Sequence, residues 1–402
     1  MKIELGLNDV SILLPYKEKP ELFSVAPQLN DKPDPESLAP GLKALPLDGE
    51  AFVPMSVLLK ISDVTAADIE TRQADFDSFE SSDRLTSAEK KEMETILGMF
   101  GDFEGPTRNS NLNPYRMTSI RIDPCANASF AGSDLSKCRI EFRMVWQETS
   151  RGMLKDANVH TIYIISPEDM KEIVKTLREL KAASGLDTSR EALQPQPDII
   201  KEGLEGQYYK GVIGLVHRFA RSSNLAQVAF FAETNQGGHW PFVKLDLQSG
   251  EVIALPIPGE KAGPNLSQLV VQRIDGTRSG GLLSPSPLGV KKDNLYLSDE
   301  PQVKFANAHR IENPSLHNAD SNDCASCHTA MLEKVNALEA KPNLVVPKDA
   351  FQSSKWNLEV KYMPDVMQSL QIFSYFPPNR VRIAPRAINE SAVVADFINS
   401  HY

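Results

Sequence analysis

No stretch of the 402-residue sequence is apolar for the roughly 20 residues that a membrane-crossing helix needs. The start, Met1-Lys2-Ile3-Glu4-Leu5-Gly6, lacks the basic segment and apolar run of a signal peptide. Positive charge is in deficit, with 43 Lys and Arg against 53 Asp and Glu and a net charge of −10, which argues against nucleic acid and anionic membranes as partners. The phosphate-binding P-loop, the dinucleotide fingerprint, HExxH and GxSxG are all missing, so the enzyme classes they mark have no signature here. Arg278-Ser279-Gly280-Gly281 is too short a glycine cluster to read as a phosphate loop. No catalytic residue is assigned, and a binding or electron-transfer protein is expected before an enzyme. Cysteine is scarce as well: four residues rule out a disulfide-dense scaffold and leave each thiol to be placed individually.

What is present is ordinary globular material, 41% apolar and 24% charged, long enough for more than one core. Its 28 prolines gather in irregular stretches, and those from Pro15 to Pro46 exclude helix and central strand, so residues 1–60 are expected to form an extended arm over the surface. Thr86-Ser87-Ala88-Glu89 reads as a capping box before a short amphipathic helix bearing Met93, Ile96, Leu97 and Phe100. From about residue 115 to 300 strand patterns dominate, at Arg139 to Trp146, His160 to Ile165, Val228 to Ala232, Val243 to Leu247 and Val252 to Ile257, with Gln248-Ser249-Gly250 as a hairpin turn. One helix interrupts them, with Ser166 as N-cap, Pro167 in its first turn, an apolar face of Met170, Ile173, Val174, Leu177 and Leu180, and Gly185 as its stop. The expectation is an α+β protein with a mostly antiparallel sheet, divided into the arm, a body over 61–300 and a smaller, mainly helical region over 301–402. His160, His217 and His239 stand alone among apolar or small residues and read as ordinary core or surface histidines.

The most specific signal lies at Cys324-Ala325-Ser326-Cys327-His328, a CxxCH run. Two thiols at this spacing can each reach one vinyl group of a single porphyrin, and the adjacent histidine then sits beneath the iron as its proximal ligand. A redox dithiol, half of a zinc site and two plain thiols are the competing readings. The polar approach through Asn313-Pro314-Ser315 and Asn318 to Asn322 is loop-like, unlike the strand that precedes a thioredoxin-type dithiol, and Cys125 and Cys138 are too widely spaced to complete a zinc knuckle. Beyond His328, Met331, Leu332, Val335 and Leu338 keep helical spacing as far as Pro342, so the motif opens a helix.

These residues resemble the haem-attachment motif of the c-type cytochromes, and residues 300–402 resemble a class I monohaem cytochrome c. The resemblance implies one covalent haem c bound through Cys324, Cys327 and His328. It also implies a distal methionine on a downstream loop, for which Met363, followed by Pro364, stands in the matching place. Met367, His317 and His309 are the alternatives for that sixth position. A terminal helix capped by Asn389 and carrying Val393, Val394, Phe397 and Ile398 would match the one that closes such folds.

Cys125 and Cys138 flank a segment rich in Gly, Ser, Asn and Asp, as a loop stapled by a disulfide would, although two buried free thiols would fit the same spacing. Disulfides persist outside the cytosol, where haem of this type is also attached, so a periplasmic or cell-surface location is expected, with the export signal absent from the sequence as given. The leading functional expectation is an exported electron carrier with a redox partner protein. A haem-based sensing or binding module is the alternative, as is a surface structural protein whose CxxC pair is only a disulfide.

Overall fold

The structure, a computed structural model, describes residues 3–15, 115–127, 137–150, 153–232, 239–247, 253–255, 267–275, 278–283, 300–318, 320–362, 370–376 and 380–402. The expected helix near residues 86–100, the turn at 248–250 and most of the proline-rich arm lie outside them.

The fold is α+β. Nine strands among the described residues form one antiparallel sheet: β1 (Ser11–Leu13), β2 (Tyr115–Asp123), β3 (Glu141–Ser150), β4 (Met153–Ile164), β5 (Leu225–Ala232), β6 (His239–Asp246), β7 (Ile253–Ala254), β8 (Ser267–Asp275) and β9 (Arg278–Leu283). Their order is β1-β2-β3-β4-β5-β6-β8-β9, and β7 pairs with β6. The arginine- and glycine-containing run at 278–281 is thus part of a strand paired with β8.

Side chains alternate across a strand, and the register aligns them into two distinct faces. Ile120, Ile122, Phe142, Met144, Val159, Tyr163, Val228 and Phe230 are buried in the main core. That core includes apolar side chains of two helices, α2 (Pro167–Ser184) and α4 (Gln207–Phe219), with the shorter α3 (Pro197–Glu202) between them in sequence. α2 forms where capping chemistry dictates: Ser166 Oγ accepts from Asp169 N at 3.1 Å, Pro167 occupies the first turn, and Gly185 ends the helix at φ 68°. α3 and α4 correct the expectation that a single helix interrupts the strands. The buried positions of α4, Tyr208, Val212, Leu215, Val216 and Phe219, follow helical spacing, but Gly211, Gly214 and several β-branched residues weaken its helix propensity.

The opposite face of the sheet presents Ser119, Val145, His160, Ala229 and Lys244 in one register-aligned row across β2 to β6, with Arg121, Arg143 and Ile162 beside it. Parts of the chain between residues 318 and 390 lie against this face. A hairpin of β10 (Phe373–Phe376) and β11 (Arg380–Ile383) is pinned there by Ser119 Oγ donating to Phe373 O at 3.0 Å and by Gln147 Oε1 accepting from Ser374 Oγ at 2.7 Å. α5 (Pro301–Ile311) and α6 (Cys324–Ala340) meet through Ala308, Ile311 and Ala330. The last helix, α7 (Pro385–His401), starts at Pro385 behind Ala384. Asn389 therefore lies inside it, where its Nδ2 donates to Glu312 O at 2.9 Å, which corrects its assignment as a cap.

One core runs through both sides of residue 300, since Trp356, Tyr375, Ile388, Val394 and Ile398 belong to the same buried cluster as Phe142 and Tyr163. Leu5, Leu7, Val10 and Leu13 belong to it too. The first described residues are thus core, with the short helix α1 (Leu7–Val10) leading into β1.

Cys125 and Cys138 form a disulfide with Cα atoms 4.5 Å apart, closing a loop of thirteen residues' separation. Removing the crosslink should lower the unfolding free energy by about 3 kcal/mol, mainly by enlarging the unfolded ensemble. Urea titration of Cys125→Ala/Cys138→Ala beside the oxidised wild type checks this, and an unchanged midpoint would refute it.

Candidate functional site

α6 begins at the CxxCH run. Asp323 caps it, its Oδ1 accepting from Ser326 N at 2.8 Å, so Cys324 is the first helical residue. Helical spacing then puts Cys324, Cys327 and His328, at i, i+3 and i+4, on one side of the helix. All three border a single cleft between α6, the 370–373 segment, the start of α7 and the open face of the sheet. The cleft encloses about 1210 Å³ of space free of protein atoms, part of it open to solvent. Its walls are largely apolar, with Val145, Ile162, Ala229, Phe231, Phe242, Ile372 and Phe373 among the lining residues.

His328 is held from behind. Its Nδ1 lies 2.6 Å from Leu370 O, and because a carbonyl can only accept, Nδ1 carries the proton and the lone pair is on Nε2. Leu370 and Gln371 are tied in turn to β4, with Gln371 Nε2 donating to Asp156 Oδ1 at 2.6 Å. Phe231 and Phe242 pack around the imidazole at ring-centre distances of 5.1 and 5.0 Å. Burial pushes the His328 imidazole down to about 4, against the raising effect of the Leu370 hydrogen bond, so the ring is neutral near pH 7. That is the form a metal takes as a ligand.

Cys324 and Cys327 are not bonded to each other. Burial, reinforced by the Asp323 charge, pushes the Cys324 thiol up to about 12; burial likewise pushes Cys327 up to about 11. Both are therefore protonated, unactivated thiols, whereas a dithiol redox centre stabilises its thiolate.

His160, set aside in the sequence as an ordinary histidine, stands in the central strand of the cleft floor, with its ring centre 6.1 Å from that of His328. Its Nε2 is buried and makes no hydrogen bond among the described residues. Burial, with His328 and Arg143 adding to it, pushes its imidazole down to about 3. A strand read alone shows only that His160 and Ile162 share one face; that this face carries a cleft depends on residues 324–390, far away in sequence.

A cationic group closes one end of the cleft: Arg121, Arg143 and Arg386, with Glu390 among them. Arg386 is fully engaged, its Nη1 and Nη2 donating to Ile311 O and His317 O at 2.8 Å each and its Nε to Glu390 at 2.7 Å. Arg121 pairs with Glu390 through Nη1, and its buried Nε and Nη2 make no hydrogen bond among the described residues.

The other sequence candidates separate clearly. His309 sits on α5 with its ring against Phe305 at 4.6 Å and does not border the cleft. His317 borders a smaller adjoining cavity with Arg121, Arg143 and Arg386. Met363 and Met367 lie outside the described residues. Among the described residues no three His, Cys, Asp or Glu side chains converge as a metal site. No described helix is long and apolar enough to cross a membrane. No protein family, curated protein or solved structure matches the chain.

Proposed function

We propose that the protein is an exported monohaem c-type cytochrome that carries electrons to or from a redox partner protein. The observation that carries this reading is the opening of Cys324, Cys327 and His328 together onto one apolar cleft, the arrangement that two thioethers and a proximal imidazole require. The residues present fit the group. The cleft is lined largely by apolar side chains, as the faces of a porphyrin require. The unbonded Nε and Nη2 of Arg121 supply donors for a carboxylate such as a propionate.

Bound haem would supply a one-electron iron couple. The chain's own residues do the rest. Cys324 and Cys327 fix the macrocycle covalently, and His328 offers Nε2 because Leu370 O holds the proton on Nδ1. Phe231 and Phe242 keep water away from the imidazole, and a drier site shifts the potential upward by destabilising the more highly charged oxidised state. The Cys125–Cys138 disulfide favours an oxidising compartment, consistent with export.

Produced with an export signal and a cytochrome c maturation system, the protein should keep its haem on a denaturing gel and give a c-type pyridine haemochrome spectrum. Failure to stain for haem, together with two titratable thiols at 324 and 327, would overturn the reading. A disulfide between them would instead favour a purely structural CxxC.

A further inference from the structure

We propose that Asp156, on β4, is the positioning residue for His328: it holds residues 370–371 on either side of the Leu370 carbonyl, and so decides which imidazole nitrogen is left free to bind a metal. The purpose of this arrangement rests on the haem reading, but the proton placement it produces is a property of the haem-free chain.

A neutral imidazole carries one proton, and the bond made by one nitrogen settles which of the two holds it. In His328 that bond is the one to the Leu370 carbonyl, 2.6 Å from Nδ1. Residues 370 and 371 lie in neither helix nor strand, so no regular backbone pattern fixes where this carbonyl points. Asp156 fixes it. Its Oδ2 accepts from Leu370 N at 3.4 Å and its Oδ1 from Gln371 Nε2 at 2.6 Å, the shorter and stronger of the two. Asn158, two residues along β4, donates to Gln371 Oε1, and Arg382 Nε donates to Gln371 O at 2.8 Å. The Leu370 carbonyl is therefore bracketed, by the amide before it and by the side chain and carbonyl of the residue after it.

Burial separates this from a chance surface contact. Asp156 is 4% exposed, and Leu370 and Gln371 are fully buried. A carboxylate is costly to bury, and the hydrogen bonds it accepts here offset that cost. Asparagine has nearly the same shape but one acceptor oxygen, and its NH2 group would face the second donor. Two donors converging from 370 and 371 therefore call for a carboxylate, where a merely polar position would not.

The consequence is chemical. With the proton kept on Nδ1, the lone pair stays on Nε2, and an N–H held by an acceptor makes the imidazole a stronger donor to a metal. A stronger proximal donor favours the oxidised state and lowers the potential. Asp156 acts only through the Leu370 carbonyl.

The test reads the proton directly. Nuclear magnetic resonance of haem-free full-length protein with nitrogen-labelled histidine, with His328 picked out of the seven histidines by its loss in His328→Gln, should show Nδ1 protonated and Nε2 bare at neutral pH. One net hydrogen bond biases the two tautomers roughly tenfold. In Asp156→Asn the Nε2-protonated form should therefore rise from a trace to a population comparable with the other. Gln371→Met keeps the length of the side chain and the Asp156 charge but has no amide for Asp156 to hold. It should do the same, and it covers an asparagine variant that fails to fold. In haem-loaded protein both variants should keep the covalent haem stain and show a midpoint potential above that of wild type. For Gln371→Met a lost charge cannot be the cause. The inference is overturned if wild-type His328 carries its proton on Nε2, or if the variants that fold keep the wild-type tautomer. Absence of covalent haem from wild type would strike the haem reading instead, and the tautomer of the haem-free chain tells the two failures apart.

Discussion

Protein carrying Cys324→Ala together with Cys327→Ala is expected to emerge from a denaturing gel with no haem at all, while its circular dichroism stays that of the haem-free wild type. The expectation follows from what each thiol does in the fold. The two are not joined to each other, they border the cleft, and their sulfurs are protonated. In the haem-free chain, removing them breaks no disulfide and deletes no charge, and trimming one atom at a half-buried site costs about 1 kcal/mol or less. Each single variant should retain one thioether, stain for haem, and shift its reduced absorption band to longer wavelength, because one vinyl group stays conjugated with the ring. Haem that survives denaturation in the double variant would mean attachment elsewhere and would refute the assignment of these two cysteines. His328→Ala belongs to the same series: it should leave the tether intact and change the iron spectrum alone.

A second large effect is expected at Glu390, on stability. Its carboxylate lies among three guanidiniums at the end of the cleft, bonded to Arg121 and Arg386, with little of any of these side chains exposed. Burial works to raise the Glu390 carboxyl, but Arg121, Arg386 and Arg143 outweigh it and hold the group well below the usual carboxylate range. Glu390→Ala would leave Arg121 and part of Arg386 buried without their anion, and such losses cost about 3–5 kcal/mol. A urea midpoint within error of wild type would contradict this. The pH dependence has a definite sign. A group whose folded value is depressed contributes stability above its unfolded value, about 4.3 for glutamate, and loses it as pH falls through the folded value. The stability gap between wild type and Glu390→Gln should therefore be widest near neutrality and narrow below about pH 4.

Legibility in the sequence followed the range of the interactions involved. α2 could be read from its termini because Ser166, Pro167 and Gly185 act on backbone groups a few residues away. That Cys324, Cys327 and His328 share one side of a helix could be read for the same reason, since they sit within five residues. α7 was misplaced at its start because Asn389, a good cap by type, spends its amide on Glu312 from another part of the chain. α4 carried a helical stripe that its glycines and β-branched residues obscured. His160 was the least legible. Its parity on β4 was available, but the cleft that gives that face meaning forms only when the residues near 370 lie down across β2, β3 and β4.

That covering has a consequence for the order of assembly. The floor of the cleft comes from residues 119–244, whereas its roof comes from 318–390, so the two meet only after long chain closures. On the haem reading, an enzyme that ligates a vinyl group to a thiol would have the freest access to Cys324 and Cys327 while α6 is still undocked, because afterwards Ile372, Phe373 and the start of α7 share the cleft with them. A cofactor attached at that stage would be aboard before the tertiary structure closes, and the docking of α6 onto the sheet would be the step at which a loaded chain and an empty one part company.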